Sequence, residues 1–201
     1  MDRTDEKEFF IKLARARKDR RAQYLKIQAM ELVETKNKKF LEVAESLINK
    51  LFTDYPDNRF DRPGSLCTLG KIYEIRKDHT KAIEYYKQAI DFEEVYPQVK
   101  TQAYLTYSEL VVKTNKNTLF DTVEKIILER LDSQLFPIEK YKSYSILSII
   151  SQYKNLSDRA KYYAELAEKY ANEKTSGLRY HKYLGIVKER DNWFDRLIKR
   201  K

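Results

Sequence analysis

Hydrophobic residues recur every three or four positions along most of this chain. One such stripe runs through Phe40, Ala44, Leu47, Ile48 and Leu51. Because an α-helix completes a turn every 3.6 residues, this spacing places the side chains on one helical face. The sequence has only 4 Gly and 4 Pro, which leaves few residues for the tight turns that a β-sheet needs. The pattern therefore predicts an all-α protein of amphipathic helices.

The clearest helical pattern contains Leu66, Leu69 and Tyr73, which follow one another at spacings of three and four residues. Gly70 lies among them, and Ala82 follows it twelve residues later. Small residues at such positions allow two neighbouring helices to approach closely. We therefore predict two antiparallel helices that pack together where Gly70 and Ala82 meet.

Residues 64–97 resemble a tetratricopeptide repeat, a helical pair in which residues at fixed positions pack the two helices together. The residues that match these positions are Leu66, Leu69, Gly70, Tyr73, Ala82, Tyr86 and Ala89. The resemblance implies a right-handed stack of antiparallel helical hairpins, which forms an α-solenoid. In this family the first helices of the hairpins line a concave groove that binds a peptide or a partner protein.

Less regular copies of the pattern occupy much of the remaining chain. Ser148 and Ala160 are separated by twelve residues, as Gly70 and Ala82 are. Another copy, with a longer turn, is centred on Ser108. These copies predict further hairpins that are related to the best one but packed less regularly.

Two features near the C-terminus extend the pattern. Leu184 and Gly185 repeat the Leu-Gly pair of the best copy and predict a further first helix. A hydrophobic stripe that begins at Trp193 and Phe194 predicts a last helix. We expect this last helix to cover the open end of the stack, as terminal helices of repeat proteins do.

The prolines indicate the length of the repeat. Pro56, Pro97 and Pro137 mark the expected hairpin ends at intervals of 41 and 40 residues. The usual tetratricopeptide period is about 34 residues. We therefore predict about five hairpins in residues 23–201, with either an altered curvature or the geometry of a related class of helical repeat.

Residues 1–22 have a different character and are interpreted as a basic N-terminal arm. Within it, Arg15, Arg17, Arg20 and Arg21 are distributed around a helical wheel, so the stretch from Ala14 to Ala22 has no apolar face to bury. We predict either a solvent-exposed extension of the following helix or a partly ordered segment.

The charge of the chain allows two interpretations. The 40 Lys and Arg residues exceed the 31 Asp and Glu residues, which gives a formal net charge of +9. The two signs are interleaved, which is typical of the solvent-exposed faces of amphipathic helices. Clustered cations also bind phosphates. The arm and the basic tail therefore allow an alternative function, nucleic-acid association. The tail consists of Arg196, Lys199, Arg200 and Lys201.

Candidate chemistry is sparse. The single cysteine, Cys67, excludes an internal disulfide, and with His79 and His181 it cannot form a four-ligand zinc site. The sequence has no signature of a phosphate-binding loop, a metal-binding histidine pair or a nucleophile elbow. We therefore expect a protein that is not an enzyme and holds no cofactor or metal. We predict that Cys67 fills a small space, that His79 forms hydrogen bonds in a surface turn and that His181 packs inward.

The hydrophobic runs are too short for a membrane span, which needs about 18 apolar residues or more. The N-terminus also lacks the basic-then-apolar order of a secretory signal. We therefore expect a cytoplasmic protein that does not contact a membrane.

The resemblance also implies which residues line the groove. Their positions are counted from Gly70, Ser108 and Ser148. The implied groove residues are Lys71, Glu74, Leu105, Glu109, Val112, Ile149, Gln152 and Tyr153. Family members that bind a chaperone's C-terminal carboxylate use a lysine and an asparagine, but Cys67 and Lys71 occupy those positions here. We therefore expect a scaffold for a protein or peptide partner without that chaperone specificity.

Overall fold

The chain folds into helices that are joined by turns and by one long irregular segment. The computed structural model describes residues 3–190 and 192–198, and the side chains of residues 6–190 and 193–198. The helices are α1 Arg3–Arg15, α2 Lys18–Glu34, α3 Lys38–Asp54, α4 Arg62–Ile75, α5 His79–Val95, α6 Ala103–Lys113, α7 Phe120–Arg130, α8 Pro137–Tyr153, α9 Ser157–Ala171 and α10 Asn192–Ile198. No strand occurs within the described residues, so the prediction of an all-α protein is confirmed.

The helices belong to two compact units, Met1–Ala103 and Tyr104–Lys201. In the first unit, α2 packs against α3 and α4 packs against α5, and α4 also contacts both helices of the preceding pair. In the second unit, α8 packs against α9, while α7 and α10 also contact α8. Helices that follow one another in the sequence therefore pack in adjacent pairs.

The pair formed by α2 and α3 buries the stripe that the sequence predicted. Its fully buried members are Ala44, Leu47, Ile48 and Leu51. Phe40 is partly buried against the same core. The turn before α3 is closed by Asn37, whose side chain accepts a hydrogen bond from the backbone N–H of Lys39 at 3.0 Å. Lys36 supplies the reversal of the chain with a left-handed φ of 54°.

The pair formed by α4 and α5 shows why a small residue is needed at position 70. A Cβ atom on Gly70 would lie 2.7 Å from Cε1 of Tyr86, which is well inside van der Waals contact. Ala82 is completely buried and Tyr86 is nearly so. The hydroxyl of Tyr86 donates a hydrogen bond to Oε2 of Glu74 at 3.1 Å, which fixes the ring from its far end. The predicted close packing of these two helices is confirmed.

A polar cluster links α3 to α4. The Glu45 carboxylate accepts a hydrogen bond from the Tyr73 hydroxyl and one from Nη1 of Arg76, both at 2.6 Å. Burial raises the pKa of Glu45, but the two hydrogen bonds outweigh it, so the pKa lies below its ordinary value. The pKa of Tyr73 is raised to about 12, mainly because its hydroxyl donates to this carboxylate.

The lowered pKa of Glu45 predicts a pH-dependent contribution to stability. A carboxyl whose pKa is lower in the folded state stabilises the fold above its unfolded-state pKa, and it loses this effect as the pH falls through the folded-state value. We expect Glu45→Gln to lower the free energy of unfolding by about 1 kcal/mol at neutral pH, after allowance for solvent screening. This difference should shrink below the ordinary glutamate pKa of 4.5.

Urea denaturation at neutral and at acidic pH measures this difference. Glu42→Gln is the matched control, because Glu42 is exposed on the same helix. Equal losses of stability in the two variants at neutral pH would contradict the assigned role of Glu45.

In the second unit, the pair formed by α8 and α9 uses the corresponding positions. Ser148 is completely buried on α8, and its hydroxyl donates a hydrogen bond to the backbone carbonyl of Ala160 at 2.9 Å. This contact joins the two positions that the sequence had aligned with Gly70 and Ala82. Between α6 and α7, the Arg130 guanidinium lies over the ring of Tyr104, with its carbon 5.8 Å from the ring centre.

The predicted helix at Leu184 and Gly185 is wrong. Residues 173–190 are irregular, and we call this segment the strap. Gly185 has a left-handed φ of 70°, which a continuous right-handed helix cannot contain. A Cβ atom on Gly185 would lie 2.5 Å from the side chain of Phe136, so the glycine is needed for contact with the start of α8. The fifth hairpin is therefore not formed within the described residues.

The last helix, α10, packs against α8 in the second unit. Phe194 is completely buried, and its ring meets the Tyr141 ring edge to face with the centroids 6.0 Å apart. The Nε2 atom of Gln152 donates a hydrogen bond to the backbone carbonyl of Ile198 at 3.2 Å. The apolar stripe that the sequence predicted therefore packs α10 against α8.

Candidate partner-binding surfaces

Two of the groove residues implied by the sequence lie in the first unit. Lys71 is exposed on α4, and its Nζ lies 3.2 Å from Oε1 of Glu74. The other carboxylate oxygen of Glu74 accepts the hydrogen bond from Tyr86. Lys71 therefore remains accessible to a partner, whereas Glu74 is held in place by its own helical pair.

The other six implied groove residues lie in the second unit, and three of them are buried. The buried residues are Leu105, Val112 and Ile149. Their side chains do not form part of an accessible surface in this structure. Both α6 and α8 carry apolar residues on more than one face. Positions counted at fixed intervals from Ser108 and Ser148, as in the repeat family, therefore include buried residues as well as surface residues.

The remaining three implied residues are polar or partly exposed. Glu109 forms an ion pair with Lys142 at 2.8 Å, and Gln152 is bonded to the end of α10. The side chain of Tyr153 is 55 % exposed, and its ring lies edge to face against Phe120. Tyr153 is therefore the member of this set in the second unit that offers a partner the largest accessible surface.

The basic arm is helical in this structure. Arg15 is the last residue of α1, Arg17 lies in the turn, and Arg20 and Arg21 belong to the first turns of α2. The predicted segment boundary at residue 22 thus falls inside α2. Arg15, Arg17 and Arg20 are exposed, but Arg21 is half-buried.

Arg21 has a structural role that the sequence did not reveal. Its Nη2 donates a hydrogen bond to the carbonyl of Ala14 at 2.6 Å, and its Nε donates one to the carbonyl of Ala16 at 3.0 Å. These carbonyls lie at the C-terminal end of α1, where helical carbonyl groups lack partners within the helix. Arg21 therefore links α2 to the end of α1 through two hydrogen bonds.

Replacement of Arg21 should loosen α1 without unfolding the first unit. Hydrogen bonds that involve a charged group contribute about 1.5–3 kcal/mol. We expect Arg21→Ser to speed amide hydrogen exchange in α1 by roughly tenfold or more. Arg20→Ser is the control, because Arg20 is exposed on the same turn. Equal exchange rates in the two variants would show that the Arg21 contacts do not hold α1.

A pocket lies at the corner between α1 and α2. Its volume is about 470 Å³. The residues that line it are Phe9, Lys12, Leu13, Arg15, Ala16 and Tyr24. The floor is apolar and aromatic, while Lys12 and Arg15 place two positive charges in its lining. This combination suits an apolar side chain whose neighbours carry negative charge.

The pocket continues into a stripe along the outer face of α2. Tyr24, Ile27 and Met30 are spaced by three residues and are 45 %, 44 % and 47 % exposed. We call the pocket and this stripe together the N-terminal apolar surface. The opposite face of α2 is buried through residues such as Leu25 and Ala29. The helix is therefore apolar on two faces. The three-residue spacing of Tyr24, Ile27 and Met30 is the feature of the sequence from which the outer apolar face could have been predicted.

The strap forms a second exposed surface, in the second unit. Tyr180 and Tyr183 are 81 % and 71 % exposed, and Leu184 is 54 % exposed. His181 is also exposed here, so the prediction that it packs inward is wrong. Its backbone carbonyl, not its ring, makes the local contact, because it accepts a hydrogen bond from the Ser176 hydroxyl at 2.8 Å.

Cys67 and His79 occupy protected positions. The Sγ atom of Cys67 lies 3.4 Å from the Thr101 hydroxyl, and burial raises the pKa of the thiol to about 11. The thiol is therefore protonated at neutral pH and has little nucleophilic character. His79 begins α5, and its Nδ1 is buried without a hydrogen-bond partner among the described residues. The hydrogen bonds predicted for this ring are not seen at that atom.

Of the basic tail, Arg196 belongs to α10. Lys199, Arg200 and Lys201 lie outside the described residues. No group of three potential metal ligands occurs among the residues that the structure covers. Within the same part of the chain, no helix has the length and apolar character that crossing a membrane would require.

Comparison of the chain with protein-family models, curated proteins and solved structures gives no significant match.

Proposed function

We propose that this protein is a non-enzymatic scaffold that binds a protein or peptide partner. The observation that carries the proposal is the N-terminal apolar surface. Contiguous exposed apolar patches with polar borders are typical of interaction sites. Tyrosine and methionine are also enriched at protein interfaces, where they contribute large and adaptable contact areas.

The shape of this surface favours a helical partner segment. Tyr24, Ile27 and Met30 form a linear apolar track, and the pocket at its end can take one large apolar side chain. An amphipathic helix docks in this way, with anchors at intervals of three and four residues. Arg15 favours an acidic residue near the anchor, because opposite charges across an interface increase specificity and the rate of association. Lys12 contributes less, because its Nζ already lies 3.8 Å from Oε2 of Glu8.

The wider architecture that we propose is a right-handed stack of hairpins similar to tetratricopeptide repeats. Two features support it. Gly70 and Ser148 are positions that the repeat pattern aligns, and each contacts the helix that follows, Gly70 at Tyr86 and Ser148 at Ala160. In such a stack, Lys71 in the first unit and Tyr153 in the second unit would each offer a partner a contact on a first helix. The single cysteine is in keeping with a cytoplasmic location, which is also part of the proposal.

The alternative function is nucleic-acid association through the arm. It is supported by Arg15, Arg17 and Arg20, which are exposed and form no ion pair with another described side chain. Arg21 contributes less to this alternative, because its guanidinium is already used between the helices.

Site-specific photocrosslinking tests the proposed scaffold function. A benzophenone amino acid is placed at Ile27 on the N-terminal apolar surface, at Lys71 on α4, or at Lys161, an exposed control position on α9. Each variant is irradiated in lysate of the source organism, with and without nuclease treatment. We expect a discrete crosslinked protein from position 27 that position 161 does not give.

Other outcomes of the crosslinking experiment distinguish the alternatives. A crosslink from position 71 alone would assign the binding site to α4, a first helix of the repeat pattern, and not to α2. Equal products from positions 27 and 161 would contradict a specific surface on α2. Loss of every product after nuclease treatment would favour the nucleic-acid alternative.

A further inference from the structure

We propose that the strap, residues 173–190, binds single-stranded nucleic acid, with its cations on the phosphates and its exposed tyrosines stacked on the bases. This site lies in the second unit and is distinct from both the N-terminal apolar surface and the basic arm. It adds a binding activity to the proposed scaffold function and does not depend on that function.

The strap is a preorganised loop, although it is not helical. The backbone N–H of Ser176 donates to the carbonyl of Lys182 at 2.7 Å, which closes the segment that carries Tyr180. The N–H of Ile138, at the start of α8, donates to the carbonyl of Gly185 at 2.8 Å. At the end of the strap, Arg190 forms ion pairs with Glu168 and with Asp195. A loop held in this way loses little conformational entropy when it binds a ligand.

The charge of the strap is of one sign over fifteen residues. Residues 174–188 contain no Asp or Glu. Their basic residues are Lys174, Arg179, Lys182 and Lys188, all exposed. None of the four forms an ion pair with another described side chain. This differs from the helix surfaces, where pairs such as Lys50 and Asp54 neutralise each other at 2.8 Å.

The acidic residues around the strap leave this charge largely intact. Glu173 and Glu189 lie near the two ends of the strap and flank the fifteen-residue run without acids. On α8, the Glu139 carboxylate accepts hydrogen bonds from the backbone N–H groups of Leu135 and Phe136. On α9, Glu168 is paired with Arg190. The strap therefore presents a net positive surface, which attracts a polyanion.

Two tyrosine rings distinguish a nucleic acid from other polyanions. The guanidinium of Arg179 lies over the Tyr180 ring, 5.3 Å from its centre. Because 81 % of Tyr180 is exposed, ring surface remains available for a base. Tyr183, three residues later, is 71 % exposed and lies on the same loop. Aromatic side chains stack on unpaired bases, whose faces are hidden in a duplex. The combination of cations without acidic partners among the described side chains and largely exposed rings therefore fits a single strand.

Fluorescence anisotropy with labelled oligonucleotides tests the proposal on the full chain. The probes are oligo-U and oligo-dT of about 12 nucleotides, within the usual size of a single-strand site, and a duplex of the same length. We expect both single strands to bind with dissociation constants of roughly 1–100 µM at physiological salt, and the duplex to bind more weakly. The relative affinities of oligo-U and oligo-dT identify RNA or DNA as the preferred strand.

Two pairs of variants separate stacking from charge. Replacing Tyr180 and Tyr183 with Ala should weaken single-strand binding roughly 5- to 100-fold for each lost stacking contact. Tyr162→Ala is the control for this pair, because Tyr162 is 58 % exposed on α9. All variants are checked by circular dichroism, and the exposure of the altered side chains favours retention of the fold.

The charge variant is a double variant, Arg179→Gln with Lys182→Gln. Its control is a second double variant, Lys38→Gln with Lys39→Gln, at the exposed start of α3. Titration at about 50 mM and about 200 mM salt should show a slope of log affinity against log salt that is shallower by about 0.7 for each lost phosphate contact. The control should keep the wild-type slope.

Three results would overturn the proposal. The first is the lack of single-strand binding by the wild-type chain at about 100 µM, the weak limit of nonspecific binding. The second is binding that the strap variants retain in full. The third is that the wild-type chain binds an acidic peptide but not the oligonucleotides, and that the strap substitutions abolish the peptide binding. This result would assign the strap to a protein partner.

Discussion

Gly70→Ala is expected to lower the free energy of unfolding by about 2 kcal/mol, although the same change in a helix is ordinarily favourable. The added Cβ would lie 2.7 Å from the ring of Tyr86, which is 2 % exposed and bonded through its hydroxyl to Glu74. The ring cannot move away without breaking this hydrogen bond or opening the α4 and α5 pair.

Gly64→Ala is the matched control for Gly70→Ala, since both glycines lie in α4. A Cβ atom on Gly64 would meet only the flexible side chain of Lys26, at 3.4 Å. We expect Gly64→Ala to raise stability by up to about 1 kcal/mol through helix propensity. Urea denaturation of both variants measures the difference, and a stabilising Gly70→Ala would disprove the close packing of these helices.

Gly185→Ala is expected to destabilise the second unit by about 3 kcal/mol. Two costs combine here. A left-handed conformation costs a residue with a Cβ about 1–2 kcal/mol, and φ at Gly185 is 70°. The new Cβ would also lie 2.5 Å from Phe136, so the strap would have to move away from the start of α8.

Gly177→Ala separates these two costs. Gly177 has a similar φ of 77°, but a Cβ atom there would meet no atom within 4 Å. We expect this variant to lose only about 1 kcal/mol, from backbone strain alone. The single tryptophan, Trp193, lies on α10 just beyond the strap and reports on this region by fluorescence. Equal unfolding curves for the two variants would show that the contact between Gly185 and Phe136 contributes nothing.

The sequence predicted the helices and their pairing because those features depend on local spacing. Gly70 with Ala82 and Ser148 with Ala160 are each twelve residues apart, and each pair of positions lies on two consecutive helices that pack together. Leu184 and Gly185 show the limit of this reasoning. The same dipeptide as in α4 stands here in a segment where glycine adopts a left-handed φ, and a pair of residues cannot distinguish these two uses.

The candidate surfaces were harder to predict, because they depend on which face of each element stays uncovered. The resemblance to the repeat family implied that Leu105, Val112 and Ile149 line a groove, but its fixed offsets could not show that these side chains are buried. The structural use of Arg21 depends on the path of the chain through the turn at Ala16, which composition does not determine.

The binding affinity of the partner captured by crosslinking tests the central claim most directly. Ile27→Asp places a charge in the middle of the N-terminal apolar surface, and Leu128→Asp makes the same change on α7. The two residues are 44 % and 40 % exposed, so the variants are closely matched. We predict that titration calorimetry shows a dissociation constant at least about tenfold larger for Ile27→Asp than for the wild-type protein, as expected for a central interface residue. Leu128→Asp should stay within the roughly 0.5 kcal/mol usual for an uninvolved surface site. Equal affinities of Ile27→Asp and the wild-type protein would contradict the assignment of this surface as the binding site.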